Sequence, residues 1–458
     1  MAIVEGTDAS ELINQLDGVT DSNDRIYGYG GMDTIYGFDG DDEIYGGEGD
    51  DALYGFADND VLKGGGGADH LYGGPGTDWG SYLDAPAAVG ASLTSGGYSG
   101  IAAGDTFDSI ENLRGSLYGD TLGGNDRANT LAGQDGNDWL QGAGGADRLD
   151  GGPGGFDTAS YFLSPVGVFV SLISGLGVNG HAAGDTLVGI ENLGGSAFGD
   201  DLLVGNDSGN SLWGENGHDE LKGGGGVDSL SGGIGDDFLD GGSDRDWLYG
   251  GRDNDTYIVD HALERVFERA GEGSDTVRAS VSYVLPANQD VEYLITTDED
   301  GTAAITLTGN ETTNVVRGNN GNNTLNGGDG NDQLVGLGGQ DWFLFDTPLD
   351  DETMVDPDTN IDEITNFSVV DDTIHLDATI FSSGLTPGNS IGDSQFYVGA
   401  AAEDAGDRII YNNATGAVFY DSDGTGTNPQ IQFAQLDAGL ADLTDINPLR
   451  NSDFFVIA

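Results

Sequence analysis

The chain of 458 residues is strongly acidic, since 80 Asp and Glu residues against 14 Lys and Arg residues give a formal net charge of −66. Such a charge repels nucleic acids and anionic membranes and opposes compaction of the chain, so nucleic acid is not an expected partner. The absence of cysteine excludes disulfide bonds and thiolate metal sites. Hydrophobic residues make up 37% of the chain, which is more than a disordered tail needs, so we infer that the chain folds. Its negative charge then has to be compensated by a cation that the sequence itself does not supply.

The N-terminal sequence MAIVEGTDAS has neither the basic start nor the apolar core of a secretory signal. An exported chain would therefore need a route other than a cleavable N-terminal signal peptide. The most apolar run, residues 166–178, is too short to span a membrane and alternates in the manner of a strand. The sequence predicts a protein that is not transmembrane.

Repeats of nine residues begin at Gly28. Cut at every ninth residue, the chain reads GYGGMDTIY, GFDGDDEIY, GGEGDDALY, GFADNDVLK, GGGGADHLY and GGPGTDWGS. Glycine holds the first place and aspartate the sixth in all six units, and the eighth place is aliphatic in the first five. The pattern returns in six units from Gly205 and in shorter stretches at residues 124–150 and 309–344. A longer duplication encloses it, because AAGDT starts at residues 102 and 182 and IENL at residues 110 and 190.

Each unit is predicted to form a six-residue turn followed by a three-residue strand, because glycine permits positive φ and only the eighth side chain points inward. Two units would close one coil, and successive coils would stack as parallel strands about 4.8 Å apart. We therefore predict an all-β solenoid.

Each nonapeptide buries only one aliphatic side chain, which stabilises the coil too little, so the stacked aspartates must contribute to its stability. Residues 18 apart lie above one another, which places Asp33 under Asp51 and Asp51 under Asp69. These like charges repel unless a divalent ion lies between them, and backbone carbonyls of the turns can complete an all-oxygen shell. Such ligands favour Ca²⁺ over Mg²⁺, which requires a tighter octahedron, and over Zn²⁺, which prefers His or Cys.

The predicted calcium ligands are the carboxylates at or next to the sixth place, namely Asp33, Asp42, Asp51, Asp60, Asp69, Asp78, Asp138, Asp147, Asp157, Asp219, Asp228, Asp237, Asp246, Asp255, Asp332 and Asp341. Backbone carbonyls of turn residues join them, such as those of Gly47, Gly49, Gly65, Gly67, Gly224, Gly226, Gly233 and Gly235. Some turns depart from the pattern, which counts against a site there. Asparagine replaces the sixth-place aspartate at residues 129, 210, 314 and 323, and aspartate replaces the fourth-place glycine at residues 58, 244 and 253.

The units GGEGDDALY, GGGGADHLY, GGGGVDSLS and GGIGDDFLD resemble the glycine-rich calcium-binding nonapeptide of the RTX (repeats-in-toxin) proteins. The resemblance implies a parallel β-roll that holds Ca²⁺ in its turns, and counting stacked units gives roughly a dozen ions. It also implies export by a type I secretion apparatus of a Gram-negative bacterium, which reads an uncleaved C-terminal signal. The chain would then be extracellular and would fold on binding Ca²⁺ outside the cell.

The last part of the chain, residues 346–458, is predicted to be antiparallel β-structure that caps the roll. ITNFSVVDDTIHLD and RIIYNNATGAVFYD each suggest apolar strands around a turn. The ending NSDFFVIA has two compatible interpretations, a secretion signal and a final strand. YDSDGTG at residues 420–426 resembles the start of an EF-hand loop, but Gln432 stands where the closing glutamate belongs, which favours a plain turn.

The fold prediction is thus all-β, with parallel, calcium-stabilised β-roll blocks, β-rich spacers and a C-terminal antiparallel β cap. Its predicted segments are an N-terminal cap (1–18), four roll blocks (19–82, 115–157, 196–258 and 309–345), three β spacers (83–114, 158–195 and 259–308) and the C-terminal domain with the secretion signal (346–458).

No catalytic motif is found, because none of the five histidines begins HExxH and GxSxG does not occur. The leading hypothesis is a secreted calcium-binding protein that is not an enzyme and has a structural, matrix or surface role. One alternative is an extracellular enzyme that modifies polysaccharide, with its site hidden in a spacer. Another is an adhesin that binds extracellular polysaccharide or cell-surface glycan through aromatic residues, of which Trp79, Trp139, Trp213 and Trp247 are candidates.

Overall fold

A computed structural model describes residues 2–349, 360–441 and 448–458. The chain forms two compact units, residues 1–237 and 238–458. The described part of each unit consists of β-strands and isolated 3₁₀ turns and contains no α-helix, which confirms the all-β prediction. No described segment has the helical length and hydropathy that a membrane-spanning helix needs.

In the first unit the strands form three hydrogen-bonded series. One series runs, in order of pairing, through Ile3–Glu5, Arg25–Gly30, Glu43–Glu48, Val61–Gly66, Trp79–Ser81, Asn112–Arg114, Thr130–Ala132, Arg148–Asp150, Thr186–Val188, Leu176–Val178, Phe169–Ser171, Leu202–Val204 and Glu220–Gly224. A second contains Leu12–Ile13, Thr34–Asp39, Ala52–Ala57, His70–Tyr72 and Thr106–Asp108. The third contains Gly96–Ser99, Gly90–Ser92, Thr121–Gly123, Trp139–Gln141, Thr158–Ser160, Asn192–Gly194, Ser211–Asn216 and Ser229–Ile234. Its 3₁₀ turns are Gln15–Asp17, Gly100–Ala102 and Gly180–Ala182.

The register of these series is the predicted one of 18 residues per coil. Ile26 pairs with Ile44 and Ile44 with Leu62 in one parallel sheet. Strands from the intervening units pair with one another in the second sheet. The inward aliphatic side chains of both sheets are fully buried in a single core, made of Ile26, Ile35, Ile44, Leu53, Leu62 and Leu71. Two nonapeptides therefore make each coil, as the sequence predicts.

The strands of the first block are longer than predicted. Glu43–Glu48 and Val61–Gly66 have six residues each, because pairing continues from the strand into the glycine turn, where Gly47 lies opposite Gly65. Both glycines have positive φ. A Cβ atom at Gly65 would lie 2.0 Å from the carbonyl oxygen of Gly47. Close stacking of turns therefore requires glycine for its shape as well as its flexibility.

Strands from the predicted spacers extend the same sheets. Thr106–Asp108 pairs in parallel with His70–Tyr72, and Asn112–Arg114 pairs in parallel with Trp79–Ser81. The second copy of the duplicated module makes the same two kinds of pairing. Each insert thus leaves the coil and returns to it in register. The boundaries between roll blocks and spacers stay a prediction.

The described strands of the second unit again form three series. The longest contains Phe238–Gly242, Thr256–Val259, Thr276–Ala279, Tyr293–Thr296, Val315–Arg317, Gln333–Val335, Asp362–Thr365, Ile431–Gln435, Ala417–Tyr420, Ile409–Tyr411 and Phe396–Val398. Another consists of Trp247–Arg252 and Arg265–Phe267. The third contains Tyr283–Val284, Thr306–Thr308, Thr324–Asn326, Trp342–Phe345, Thr373–Asp377, Phe454–Ile457 and Asn389–Ser390. A 3₁₀ turn spans Asn451–Asp453.

The C-terminal region combines two kinds of pairing. Its antiparallel part is a meander of Ile409–Tyr411, Ala417–Tyr420 and Ile431–Gln435. By contrast, Asp362–Thr365 and Thr373–Asp377 pair in parallel with repeat strands, because their buried Ile364, Ile374 and Leu376 continue the inward row of the roll. The parts of the predicted cap at residues 350–359 and 442–447 lie outside the described residues.

The final strand, Phe454–Ile457, pairs in parallel with Thr373–Asp377. Phe454 and Val456 are buried. The strand interpretation of NSDFFVIA is therefore correct. It leaves the secretion-signal interpretation open, since the two are compatible.

Candidate metal sites

Stacked carboxylates line both edges of the first roll block. On one edge the backbone N–H of Asp33 donates to Oδ1 of Asp51 at 2.7 Å, and that of Asp51 donates to Oδ1 of Asp69 at 2.9 Å. On the other edge Asp42 donates to Asp60 at 2.9 Å, and Asp60 donates to Asp78. The same bond joins Asp219 to Asp237 and Asn314 to Asp332, further along the chain. One carboxylate oxygen of each residue thus binds the coil before it.

The other carboxylate oxygen of these residues is buried and lacks a donor. Among the described residues, Oδ2 finds no hydrogen-bond partner in Asp33, Asp42, Asp51, Asp60, Asp69, Asp78, Asp138, Asp147, Asp157, Asp219, Asp332 and Asp341. The four remaining predicted ligands, Asp228, Asp237, Asp246 and Asp255, are buried as well. Leaving a buried acceptor unsatisfied costs about 1–3 kcal/mol, and more when the group is charged. Each such oxygen therefore needs a proton or a cation.

The first-place glycine forms the wall of a small cradle around this oxygen. A Cβ atom at Gly46 would lie 2.4 Å from Oδ2 of Asp51 and 2.6 Å from the carbonyl oxygen of Gly64, one coil further on. At Gly28 a Cβ atom would meet Asp33 Oδ2 and a carbonyl oxygen in the same way. Carboxylate and carbonyl oxygens therefore converge on one space that any side chain would fill. An all-oxygen donor set of this kind fits a hard cation such as Ca²⁺.

The glycines whose carbonyls were predicted as ligands adopt the turn conformation that the prediction requires. All eight have positive φ, at Gly47, Gly49, Gly65, Gly67, Gly224, Gly226, Gly233 and Gly235. A Cβ atom at Gly67 would lie only 2.0 Å from the carbonyl oxygen of Gly49, one coil earlier. Direct ligation by these carbonyls, and by the individual aspartates, stays a prediction.

Turns with aspartate in the fourth place keep the same backbone shape. Asp58, Asp244 and Asp253 have φ of 78°, 85° and 76°, the left-handed conformation that glycine holds in the regular units. Aspartate tolerates this conformation better than most residues do. The departure from the repeat pattern at these turns therefore leaves their geometry intact.

Four other turns of the roll satisfy their own aspartate or asparagine side chain with protein groups. Oδ2 of Asp120 accepts the backbone N–H of Ser116 at 2.5 Å, and Oδ2 of Asp201 accepts that of Ser196 at 2.6 Å. Asn129 accepts the N–H of Asn125 through Oδ1. The Nδ2 group of Asn129 donates to a backbone carbonyl, as does that of Asn210. In these four turns protein groups satisfy the side chain, whereas in the turns described above the aspartate Oδ2 has no donor. Only the turns of the second kind therefore need a cation.

The inserts supply stack members that the nine-residue spacing missed. The N–H of Asp69 donates to Oδ1 of Asp105, and that of Asp78 donates to Oε2 of Glu111, both at 2.9 Å. Asp185 and Glu191 do the same in the second module. The recurrence of GDT and IEN in the two modules was the signal that could have found them. In both modules a tyrosine hydroxyl donates to the aspartate, from Tyr82 at 2.7 Å and from Tyr161 at 3.1 Å.

Burial raises the pKa values of the stacked carboxyl groups. Desolvation, with a smaller contribution from neighbouring carboxylates, raises the pKa of Asp60 from 3.8 to about 8 and that of Asp42 to about 7. Asp219 is raised to about 8 for the same reasons. Without an ion, these three carboxyl groups therefore hold protons near neutral pH, and a cation in the cradle would reverse the shift of their pKa values.

The loop that resembles an EF-hand start is a turn held by Asp421. Its Oδ1 accepts the backbone N–H of Asp423 at 3.0 Å and that of Gly424 at 2.7 Å. The carboxylate thus closes the loop on itself through backbone donors. This arrangement agrees with the plain-turn interpretation.

Comparison with known protein families gives six matches to the RTX calcium-binding nonapeptide repeat (4 copies), at residues 19–53, 54–80, 123–155, 197–230, 222–257 and 308–343. A comparison with curated proteins finds no match. Of the twelve aspartates named above whose Oδ2 atoms lack a donor, the matched segments contain all except Asp157, which lies two residues beyond the third match. These segments of the chain therefore carry RTX calcium-binding nonapeptide repeats.

Proposed function

We propose that the protein is secreted, folds on binding Ca²⁺ outside the cell, and then has a structural role at the cell surface or in the extracellular matrix. The observation that carries the proposal is the row of buried aspartate Oδ2 atoms that face glycine cradles and lack donors. Each cradle gathers oxygen atoms of the kind that Ca²⁺ prefers. The number of ions, roughly a dozen, belongs to the same proposal.

Calcium binding and folding are coupled in this proposal. One inward aliphatic side chain per nonapeptide offsets little of the entropy lost in ordering nine residues. In addition, the stacked carboxylates repel one another, which destabilises the folded chain without an ion. Because the cradles exist only when the coils are stacked, the free energy of calcium binding contributes directly to folding. Extracellular calcium modules bind with dissociation constants of about 10⁻⁴ to 10⁻³ M, which leaves such sites empty in a calcium-poor cytosol.

Export by a type I secretion apparatus fits this coupling, because a chain that is unfolded without calcium can pass a narrow channel. The proposal rests on the family resemblance and places the signal near the C-terminus, around the strand Phe454–Ile457. Normal export of a chain that lacks residues 409–458 would contradict it.

No catalytic role is proposed. The histidines that could supply acid–base chemistry make structural contacts instead. His70 bonds Thr106, His218 bonds the backbone of Asp236, and His375 stacks on Trp342 with ring centroids 4.4 Å apart. These contacts support a structural reading of the three residues.

A second candidate function, glycan binding, is favoured by aromatic rows on the first block. Tyr27 stacks on Tyr45 at 4.6 Å, and Lys63 lies 4.5 Å above the Tyr45 ring beside a cavity of about 300 Å³. Tyr27 and Tyr45 are half-buried. Aromatic rings that are partly exposed beside charged groups suit sugar rings, which present apolar faces and hydroxyl edges. Among the tryptophans, Trp139 and Trp247 are partly exposed, whereas Arg114 covers Trp79 at 4.8 Å. This candidate would be favoured if the wild type binds to a glycan array in the presence of Ca²⁺ and the Tyr45→Ala variant does not.

Calcium should fold the chelator-treated protein, and magnesium should not. We expect a cooperative gain of β signal in far-ultraviolet circular dichroism at sub-millimolar to millimolar Ca²⁺, because the cradles suit the larger and more adaptable ion. Equal concentrations of Mg²⁺ are the control and should give little change. A full β spectrum in excess chelator would show that calcium is not needed for folding.

Asp51→Asn should damage the stack locally. The amide keeps an acceptor for the N–H of Asp33 but removes the charge that faces the cradle of Gly46. We expect calcium affinity of the adjoining turns to fall by about tenfold, or ~1.4 kcal/mol, in calorimetric titration. Hydrogen exchange should quicken in Glu43–Glu48 and not in Ser229–Ile234, because solenoid coils couple to their neighbours.

The matched control for this variant is Asp39→Asn, which removes an equal charge from an exposed side chain of the same block. Its titration should coincide with that of the wild type. Equal losses in the two variants would mean that net charge, and not the cradle, governs calcium affinity.

Acid should reduce the need for calcium. The folded, ion-free state holds protons on Asp42 and Asp60, with pKa values of about 7 and 8, that the unfolded chain releases near its ordinary value of 3.8. This stability is fully present below the unfolded pKa and is lost as the pH rises through the folded values. Chelator-treated protein should therefore gain β signal between about pH 8 and pH 5.

Protons and calcium compete for the same oxygen atoms, so the calcium midpoint should rise as the pH falls over this range. Circular dichroism titrations at two pH values measure both effects. A calcium midpoint that does not change with pH would contradict the assignment of the raised pKa values to the cradles.

A further inference from the structure

A cavity on the outer face of the first unit is lined by both copies of the duplicated insert, and we call it the insert cavity. Its volume is about 480 Å³, within the range of about 300–1,000 Å³ that is usual for small-molecule sites. Tyr98 comes from the first insert, whereas Leu163 and His181 come from the second. The two inserts therefore supply walls of one cavity.

The floor of the insert cavity is the outward face of three paired strands. Gly90–Ser92 pairs in parallel with Thr121–Gly123, which pairs in parallel with Trp139–Gln141. The central leucines of the last two strands are buried in the roll, so the residues on either side of them face outward. Gly123 pairs with Gln141 and has no side chain, which leaves the floor open beside that amide.

Two aromatic rings border this floor. Trp139 is 41% exposed and Tyr98 is 56% exposed. The Tyr98 ring lies over Gly90, where a Cβ atom would come within 2.3 Å of it, and its hydroxyl donates to the carbonyl oxygen of Thr121 at 3.4 Å. Because tryptophan is highly buried on average, a partly exposed Trp139 beside a cavity offers a surface for stacking.

Polar groups of the insert cavity are free to bind a ligand. The side chains of Asp126, Gln141 and His181 line it, and none of them has a hydrogen-bond partner among the described residues. The hydroxyl groups of Ser92 and Ser95 line it as well. A carboxylate, an amide, an imidazole and hydroxyl groups can all exchange hydrogen bonds with the hydroxyl groups of a ligand.

The charge of the insert cavity disfavours an anionic ligand. Its lining residues, all of them in the described part of the chain, include the carboxylate of Asp126 and neither Lys nor Arg. The net charge of −66 adds a long-range repulsion, which also opposes docking of a second copy of this chain. An uncharged ligand with apolar faces and a rim of hydroxyl groups meets both conditions.

We propose that the insert cavity binds neutral sugar units of an extracellular polysaccharide. A sugar ring would place its apolar face on Trp139 and its hydroxyl groups towards Gln141 and Asp126. The proposal deepens the second candidate function, glycan binding, on which it rests only for the class of partner. The site itself is separate from the aromatic rows around Tyr45.

Binding is measured with the full chain in Ca²⁺, first on a glycan array and then by calorimetry. The probes are uncharged oligomers of glucose, mannose, galactose and N-acetylglucosamine, and oligomers of uronic acids and sulfated sugars are the charged comparison. We expect at least one neutral series to bind and the charged series not to bind. Trp139→Ala should lower the affinity for the neutral series by about tenfold, because it removes the aromatic anchor, and Trp139→Phe should lower it less.

The matched control is Trp247→Ala. Trp247 holds the same seventh place of its repeat as Trp139 and is 39% exposed, but it does not line the insert cavity. Its affinity for the neutral series should equal that of the wild type. Tyr45→Ala should also leave this affinity unchanged, because Tyr45 belongs to the other candidate site.

Binding of charged oligomers alone, or of no oligomer, would overturn the proposal. Wild-type affinity in Trp139→Ala would overturn it too, and a loss in Tyr45→Ala would then leave the second candidate function standing without this site. If Trp139→Ala lacks the wild-type β signal in Ca²⁺, Tyr98→Ala is measured in its place, with the same outcomes deciding. Failure of calcium-coupled folding would appear separately, in circular dichroism before any sugar is added.

Discussion

The buried carboxylate oxygen that has no protein donor is the feature on which the rest of the structure depends. In each glycine turn, Oδ1 of the aspartate binds the preceding coil and Oδ2 faces a cradle that only a proton or a cation can fill. The cradle must be lined by glycine, because a Cβ atom at Gly46 would occupy it. Few apolar residues are then left for the core. The acidic composition, the glycine content and the short strands all follow from this one arrangement.

The regular part of the fold could be predicted from sequence because each repeat carries its whole structure locally. Glycine in the first place, aspartate in the sixth and an aliphatic residue in the eighth fix the turn, the edge and the inward row, and the 18-residue register of Ile26 and Ile44 follows. The stacking of Asp33 and Asp51 followed from the same count.

The inserts could not be predicted in this way, because their partners are far apart in sequence and their spacing is irregular. Asp105 joins Asp69 across 36 residues, and Glu111 joins Asp78 across 33. Whether a turn needs an ion also depends on whether a backbone N–H reaches Oδ2, which the type of residue does not indicate. Asp120 and Asp51 are both buried aspartates of the roll, but only the turn of Asp120 offers a backbone N–H to Oδ2.

Glu111 and Glu191 stand where a stack leaves the regular repeat, and each is followed one coil later by an asparagine that bonds its carbonyl oxygen. The longer glutamate reaches the N–H of the preceding aspartate although the chain there has no glycine turn. It therefore acts as an adaptor between a regular coil and a foreign segment. A coil whose donors and acceptors match those of its neighbour can be duplicated or deleted without disturbing the rest, and the adaptor extends that freedom to unrelated insertions. Growth by whole coils and by inserted segments then becomes a route by which such a chain changes its length during evolution while keeping one hydrogen-bonding pattern.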